Sequence, residues 1–412
     1  MLRRLCISKV VNLAAKEANA QKVHGAWWAT VVLFLVHGLI VGTWISRIPA
    51  VQTGLRLNNG VLGVTLLSSA LGALCAIPVT GWSVNRYGSK RVTSISSVAF
   101  CPAVVLPGLS RNAFELAAVL LVYGAIAAAM DVSMNAQAVA VEKALGKPTM
   151  WRFHAMFSFG AMGGAALGGF AAARAIAPDV HFAMSALLNL IAVVSVLHLL
   201  LGGRELRPGS RGRIALGRIP RVLLALSAIA FCILLSEGAM ADWTAIYLRQ
   251  VLRAGPGLAA EGYAVFAAAM AIFRLCGDII TAHFGPFRTV RNASLLAACG
   301  LACTLVARGP VWALPGLAAT GAGLSVIIPL AFGGGGRVES VSPGAGIATV
   351  TGLGYLGFIA GPPAIGFASQ LFTLRYALVI VVACCLVAAI LSSSMRSLSM
   401  TSYDEAVPEL HV

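Results

Sequence analysis

Charge is what this sequence has least of. Only 11% of its 412 residues are Asp, Glu, Lys or Arg, against about a quarter in soluble domains. Acids are the scarcer sign, 14 against 30 basic residues. With 59% hydrophobic residues and a mean hydropathy of +0.88, a water-soluble domain is excluded. Aromatic residues are also few, at 8%, while glycine reaches 44. That balance argues against a membrane barrel with aromatic girdles and for helices packed through small side chains. Nine cysteines contain no CxxC pair, so no metal site or redox motif is expected. The run "AFGGGG" at 331–336 lacks a following Gly-Lys-[Ser/Thr], which removes the nucleotide loop of an ATP-driven pump. No nucleophile and base stand together, so neither an enzyme nor a cofactor is expected.

What is present is a repeated pattern of apolar runs. Crossing a bilayer core of about 30 Å takes roughly 20 apolar residues in a helix. Twelve such runs are predicted, at 26–46, 60–80, 92–109, 113–138, 152–173, 180–201, 222–247, 260–281, 292–308, 311–332, 344–370 and 374–394. Threading them alternately from a cytoplasmic N-terminus puts 21 Lys and Arg on the inside and eight on the outside, with Arg274 inside a span. Basic residues accumulate in cytoplasmic loops, so both termini are expected in the cytoplasm. The net charge of +16 then reads as a topology signal, and no nucleic-acid partner is expected. The opening 1–25 is expected to be a basic arm lying on anionic lipid; an organelle transit peptide is the alternative.

The longest internal connection, 202–221, is rich in Gly and Arg and divides the spans six and six. The expected domains are a bundle at 26–201, this linker, a second bundle at 222–394 and a cytoplasmic tail at 395–412. Two pairs of landmarks support a duplication. "HGLIVGTWISR" from His37 parallels "EGAMADWTAIYLR" from Glu237, and "GWSVNRYGSKR" from Gly81 parallels "GDIITAHFGPFR" from Gly277.

The stretch "GWSVNRYGSKR" resembles the loop between helices two and three of the major facilitator superfamily, G-x-x-x-D-R-x-G-R-[RK]. With the six-plus-six split, the resemblance covers about residues 25–395. The strings "SRIPAVQTGL", "MDVSMNAQAVAVE", "FHAMFSFG" and "EGAMADWTAIYLR" are similar to the bacterial YbjJ-like permeases, a branch distantly like fucose permeases. The resemblance implies an all-α membrane protein of two pseudo-symmetric six-helix bundles, multi-pass in the bacterial inner membrane, working as a monomer. It also implies gating by Gly81, Asn85, Arg86, Gly88, Lys90 and Arg91. Asn85 stands where the family carries an acid, so the latch that acid forms should be weaker here, or rest on Asp278 in the second copy. Arg274 and Asp278, four residues apart, are expected to face each other on one helix.

Intramembrane acids are costly and normally face a cavity or a partner, and only Asp131, Glu237, Asp242 and Asp278 fall inside the predicted spans. At 100° per residue Asn135 lies about 40° and Glu142 about 20° from Asp131, with Gln137 well off that face. This stripe is expected either to line a wet path or to hydrogen-bond across a helix interface. Glu237 shares a face with Met240, Thr244 and Tyr247, while Asp242 and Trp243 point elsewhere. Gly238 is expected to disturb the helix beside it. His37 occupies the place of Glu237 in the first half, and His154 is expected near the inner mouth with Arg152. Trp44, Tyr123, Asn189, Trp243, Tyr247 and Tyr355 complete the candidate walls, although Trp and Tyr also serve as interfacial anchors.

The function expected from these residues is proton-coupled secondary transport of a small polar organic solute by alternating access. Asp131 or Glu237 would take up a proton on one side and release it on the other. The alternatives are proton-driven export of a drug or toxic metabolite, and a non-transporting receptor that keeps the carrier fold.

Overall fold

The computed structural model describes residues 2–147, 149–202, 219–338 and 341–398, with side chains from residue 20 to 396. Most of the predicted linker and of the predicted tail therefore lies outside the described residues. Helices dominate because an apolar solvent leaves each backbone N–H and C=O to be satisfied within its own segment. Among the described residues, twelve helices are long and apolar enough to cross a membrane. They are α1 (Ala20–Gly54), α2 (Asn59–Tyr87), α3 (Ser89–Leu109), α4 (Ala113–Leu145), α5 (Met150–Ala173) and α6 (Pro178–Leu199) in the first half. The second half contributes α7 (Arg221–Gln250), α8 (Pro256–Leu275), α9 (Gly277–Val306), α10 (Pro310–Gly335), α11 (Pro343–Leu371) and α12 (Leu374–Arg396). The helix that contains α1 starts at Leu2, so the predicted N-terminal arm continues α1 without a break.

Local sequence sets the ends. Asn58 starts α2 by accepting from Val61 N–H at 2.9 Å. Asn112 and Glu115 cap α4 reciprocally: Asn112 Oδ1 accepts from Glu115 N–H, and Glu115 Oε2 accepts from Arg111 N–H. Pro178, Pro256, Pro310 and Pro343 open α6, α8, α10 and α11, where the missing N–H costs nothing.

The halves repeat each other in packing. α1 lies against α5, α2 against α4 and α3 against α6; α7 lies against α11, α8 against α10 and α9 against α12. Between the halves, α2 meets α11 and α5 meets α8, a reciprocal pair, and α1 meets α7. The turn glycines match as well: Gly88 (φ 84°, ψ 150°) and Gly285 (φ 73°, ψ 160°) share one left-handed conformation, which residues with a Cβ rarely adopt. Gly285 therefore reverses the chain, and residues 277–284 prolong α8 beyond a mild bend at Cys276 (φ −90°, ψ −1°).

Glycine decides how closely α1 and α5 approach. A Cβ on Gly38 would sit 2.0 Å from Phe157 O, on Gly42 2.1 Å from Ala161 O, on Gly160 2.1 Å from Leu35 O and on Gly164 2.2 Å from Leu39 O. Four glycines, alternating between the helices, put backbone directly on backbone. The matching contact of α11 on α7 is looser at one end, where a Cβ on Gly361 would meet Leu235 O at 3.4 Å.

Candidate functional site

The two halves are tied together at the end that carries the α1–α2, α7–α8 and α11–α12 connections. There Gln52, Asn59 and Gln250 share amide hydrogen bonds of 2.8 to 3.3 Å, and Gln370 of α11 donates to Asn58. Below this seal a Cβ on Gly63 of α2 would meet Pro362 O of α11 at 2.6 Å. Toward the opposite end, which carries the termini, the same helices present Gly81, Gly344 and Gly352. A Cβ on any of these would have no neighbour within 4 Å.

Between the seal and the terminal end, near the middle of the helices, lies a cluster of polar side chains from both halves. On α4, Asn135 Nδ2 donates to Asp131 Oδ1 at 3.1 Å and to the Asp131 carbonyl at 2.9 Å. Both residues are half-buried, although an apolar sequence surrounds them. On α7, Glu237 Oε1 stands 3.9 Å from Arg274 Nη2 of α8, the one ion pair among the described residues. Arg274 Nη1 also donates to Ser158 Oγ of α5 at 3.0 Å, so this guanidinium bridges the halves. Its Nε reaches the Ser325 carbonyl at 3.4 Å, at the point where α10 breaks between Leu324 and Ile327. A broken helix exposes carbonyls that its own turn no longer uses, and Arg274 takes one.

Two tyrosines share the electrostatic neighbourhood of the acids. The Tyr355 hydroxyl of α11 lies within electrostatic range of both Asp131 and Glu237, one acid from each half. Tyr263 of α8 lies within range of Glu237, Asp242 and Arg274, and His154 of α5 within range of Arg274. Around the Glu237–Arg274 pair the two halves thus bring carboxylates, one arginine, one imidazole and two phenols into one electrostatic neighbourhood. Such a set can hydrogen-bond a polar solute from several sides, and its carboxylates can exchange protons with water entering from one end.

Several sequence expectations are corrected by these placements. Arg274 does not pair with Asp278: the chain bends at Cys276 between them, Asp278 is exposed, and Arg274 turns to Glu237. Glu142 shares the helix face of Asp131 but stays at the terminal end, where it accepts from the N–H groups of Thr149 and Met150 at the start of α5. Gln137 is buried off that face and donates to Ser89 Oγ and the Leu201 carbonyl. Gly238 does not disturb α7, which is helical throughout; it makes room for Phe358 of α11. The α7 face of Glu237 turns into the core as the helix proceeds: Met240, Thr244 and Tyr247 are buried, and Tyr247 donates to the carbonyls of Thr304 and Leu305. Asp242 stays half-exposed toward Tyr263.

Trp44 and Trp243 are buried, Trp44 against Tyr123 and Phe182. Asn189 donates to the Ser185 carbonyl within α6. His37 is enclosed by Phe100 and Phe157, ring centroids 5.1 and 5.4 Å away, with no hydrogen bond to either nitrogen. Arg152 stacks on Trp151 at the protein surface and leaves His154 to Arg274. Of the turn motif, Lys90 ties α3 to the carbonyls of His198 and Leu200, whereas Asn85, Arg86 and Arg91 are exposed. Sequence reasoning missed Tyr263 and Ser158. Tyr263 was within reach: Tyr263, Met270 and Arg274 recur at seven and four residues, one helical face.

Comparison with known proteins is consistent with this architecture. The Major Facilitator Superfamily profile matches residues 26–334. An uncharacterized MFS-type transporter of Yersinia pestis is 32% identical over 374 residues, 90% of this chain and 94% of that protein. Membrane protein MosC of Rhizobium meliloti is 29% identical over 357 residues, covering 85% of each. Among solved structures, a bacterial homolog of the human lysosomal transporter Spinster, inward-facing and unoccupied, superposes with a TM-score of 0.67 at 14% identity, over 92% of this chain and 99% of that one. The nucleoside transporter NupG gives 0.66 at 13% identity, over 90% and 98%. At such identities the structures speak for the fold alone, but the profile spans most of the chain and carries the family with it: this protein belongs to the major facilitator superfamily of membrane transporters.

Proposed function

We propose that the chain is a proton-coupled secondary transporter that carries a small polar organic solute through its centre by alternating access. The observation that carries this reading is that Arg274, held between Glu237 of the second half and Ser158 of the first, ties a half-buried carboxylate to both halves. A carboxylate in the bilayer is expensive, and here each half contributes one to a shared, half-exposed space. The Arg274 bridge from Glu237 to Ser158 gives that space a device that senses charge. Protonation of Glu237 weakens its hold on Arg274, which frees the guanidinium to shift its balance between the halves or toward a solute.

The arrangement of Lys and Arg orients both termini to the cytoplasm, so the seal at Asn59 and Gln250 faces outward and the central cluster communicates with the cytoplasmic side. The membrane in this reading is the bacterial inner membrane, and the monomer is the working unit. Polar ring compounds, sugars and nucleosides among them, suit walls built of tyrosines, amides and carboxylates.

The test is flux in proteoliposomes, after a thermal-stabilisation screen has supplied a solute. Proton-driven accumulation should disappear in Asp131→Asn while counterflow of the same solute persists. Accumulation that survives in this variant overturns the assignment of Asp131. Direction follows from comparing uptake and efflux of that solute at two external pH values.

A further inference from the structure

The seal end of the first half buries an arginine. Arg47 of α1 is 3% exposed, and its Nη2 donates to the Ile176 carbonyl in the turn between α5 and α6. That bond caps the C-terminus of α5, where a cation meets the negative end of the helix dipole. A cap uses one of the five guanidinium N–H groups. Nε and Nη1 of Arg47 are buried as well, and neither has a hydrogen-bond partner.

Its surroundings supply donors and no counter-charge. His181 of α6 is buried within electrostatic range of Arg47, and its Nδ1 likewise has no partner. Gly168 of α5 admits this ring beside Ser46: a Cβ there would stand 1.9 Å from Ser46 Oγ and 3.5 Å from His181 Cε1. Among the described residues no carboxylate lies within 4 Å of the guanidinium, since Glu237 and Arg274 form the one ion pair. Glu115, Asp179 and Glu261, the acids at this end, are exposed. The acids outside the described side chains are Glu17, Glu205, Glu339 and those of the tail, and the chain joins all of them to the terminal end. The stretch of α1 from Ala20 to Arg47 separates the two ends by about 40 Å.

The second half supplies a comparison. Arg249 closes the matching motif and caps in the same manner, donating from Nη1 to the Ala254 carbonyl at 2.9 Å. It is exposed, so water serves its other N–H groups. Arg47 has the same cap without the water, and a buried guanidinium short of acceptors is costly.

We propose that Arg47 and His181 hold a small monovalent inorganic anion, of the chloride class, inside the first bundle. The anion neutralises the guanidinium and accepts from its free N–H groups and from a ring N–H of His181. Enclosure sets the size: Nε and Nη1 are shut off from solvent, and a lipid headgroup needs an open mouth. The covering turn holds Ala175 in the left-handed region, at φ 55°, which makes the turn the strained side of the enclosure and the side that opens.

The experiment follows the thermal stability of the purified full chain in sodium chloride, sodium bromide and sodium gluconate at equal ionic strength. Chloride and bromide should each raise Tm by about 3 °C over gluconate, saturating with concentration. Arg47→Met should abolish this response, and Arg249→Met should keep it. Equal Tm in all three salts, or a halide response that survives Arg47→Met, overturns the proposal. A response lost equally in both variants overturns it in favour of diffuse attraction. If Arg47→Met does not fold, bromide-soaked crystals of the unaltered protein decide. An anomalous peak within hydrogen-bonding reach of the Arg47 guanidinium is expected, and no peak there rejects the site, wherever else bromide binds.

Discussion

The two halves share one packing plan but bring different chemistry to the centre. The first half brings Asp131 with Asn135 and seals its other candidate, His37, between Phe100 and Phe157. The second half brings Glu237, Asp242 and Arg274. His37 and Glu237 hold matching places in the duplicated motif, yet one is enclosed by aromatic rings and the other reaches the shared space. The scaffold matches in the two halves, seen in Gly88 and Gly285 with their common turn, while the polar side chains at the centre differ. Backbone conformation and small-residue contacts are constrained by the fold, whereas a polar side chain in a cavity answers only to what passes it.

This contrast can be broken most decisively by transport measurements. Asp131→Asn and Glu237→Gln should each abolish proton-driven accumulation, and His37→Phe should leave it close to wild type. A His37→Phe protein without accumulation would return the first-half histidine to the coupling path. Glu237→Gln should also lower thermal stability, by about 1–3 kcal/mol for leaving Arg274 without its partner, and adding Arg274→Met should recover part of that loss.

Packing offers the next largest difference. Gly42→Leu should cost about 3 kcal/mol or more, because even its Cβ lands on the Ala161 carbonyl. Gly361→Ala on the matching contact of the second half should cost under about 1 kcal/mol, since its Cβ finds ordinary clearance at 3.4 Å. Denaturation curves of the two variants in one detergent measure the gap. The seal comes third: Gln250→Ala with Gln370→Ala removes hydrogen bonds worth about 1 kcal/mol each. Distances between spin labels on α2 and α11 at that end should broaden toward longer values. The smallest effect belongs to the turns, where Gly88→Ala and Gly285→Ala should each cost about 1 kcal/mol. Unequal costs would show that only one copy of the turn still carries load.

Much of the architecture was legible in the sequence, because apolar length and charge-bearing loops follow from the solvent and need no knowledge of neighbours. The site was legible only in part. Helical spacing separated Asp131 and Asn135 from Gln137, since that is a property of one helix. The same spacing failed for Tyr247, because α7 crosses its neighbours and one face meets the centre at Glu237 and the core at Tyr247. It failed for Arg274 because the partner choice depended on a bend at Cys276 and on a helix brought alongside from elsewhere in the chain. Tyr263 and Ser158 belong to that second class: each gains its significance from a side chain on another helix.

The four glycines between α1 and α5 also bear on how motion spreads through the molecule. With carbonyls in place of side chains at the contact, neither helix can slip by a turn without backbone striking backbone. The pair therefore behaves as a single stiff lever, and bending must be taken up at the α2–α11 and α5–α8 seams. Fluorophores placed on α1 and α5 should keep their separation through a transport cycle, while a pair spanning α5 and α8 should not.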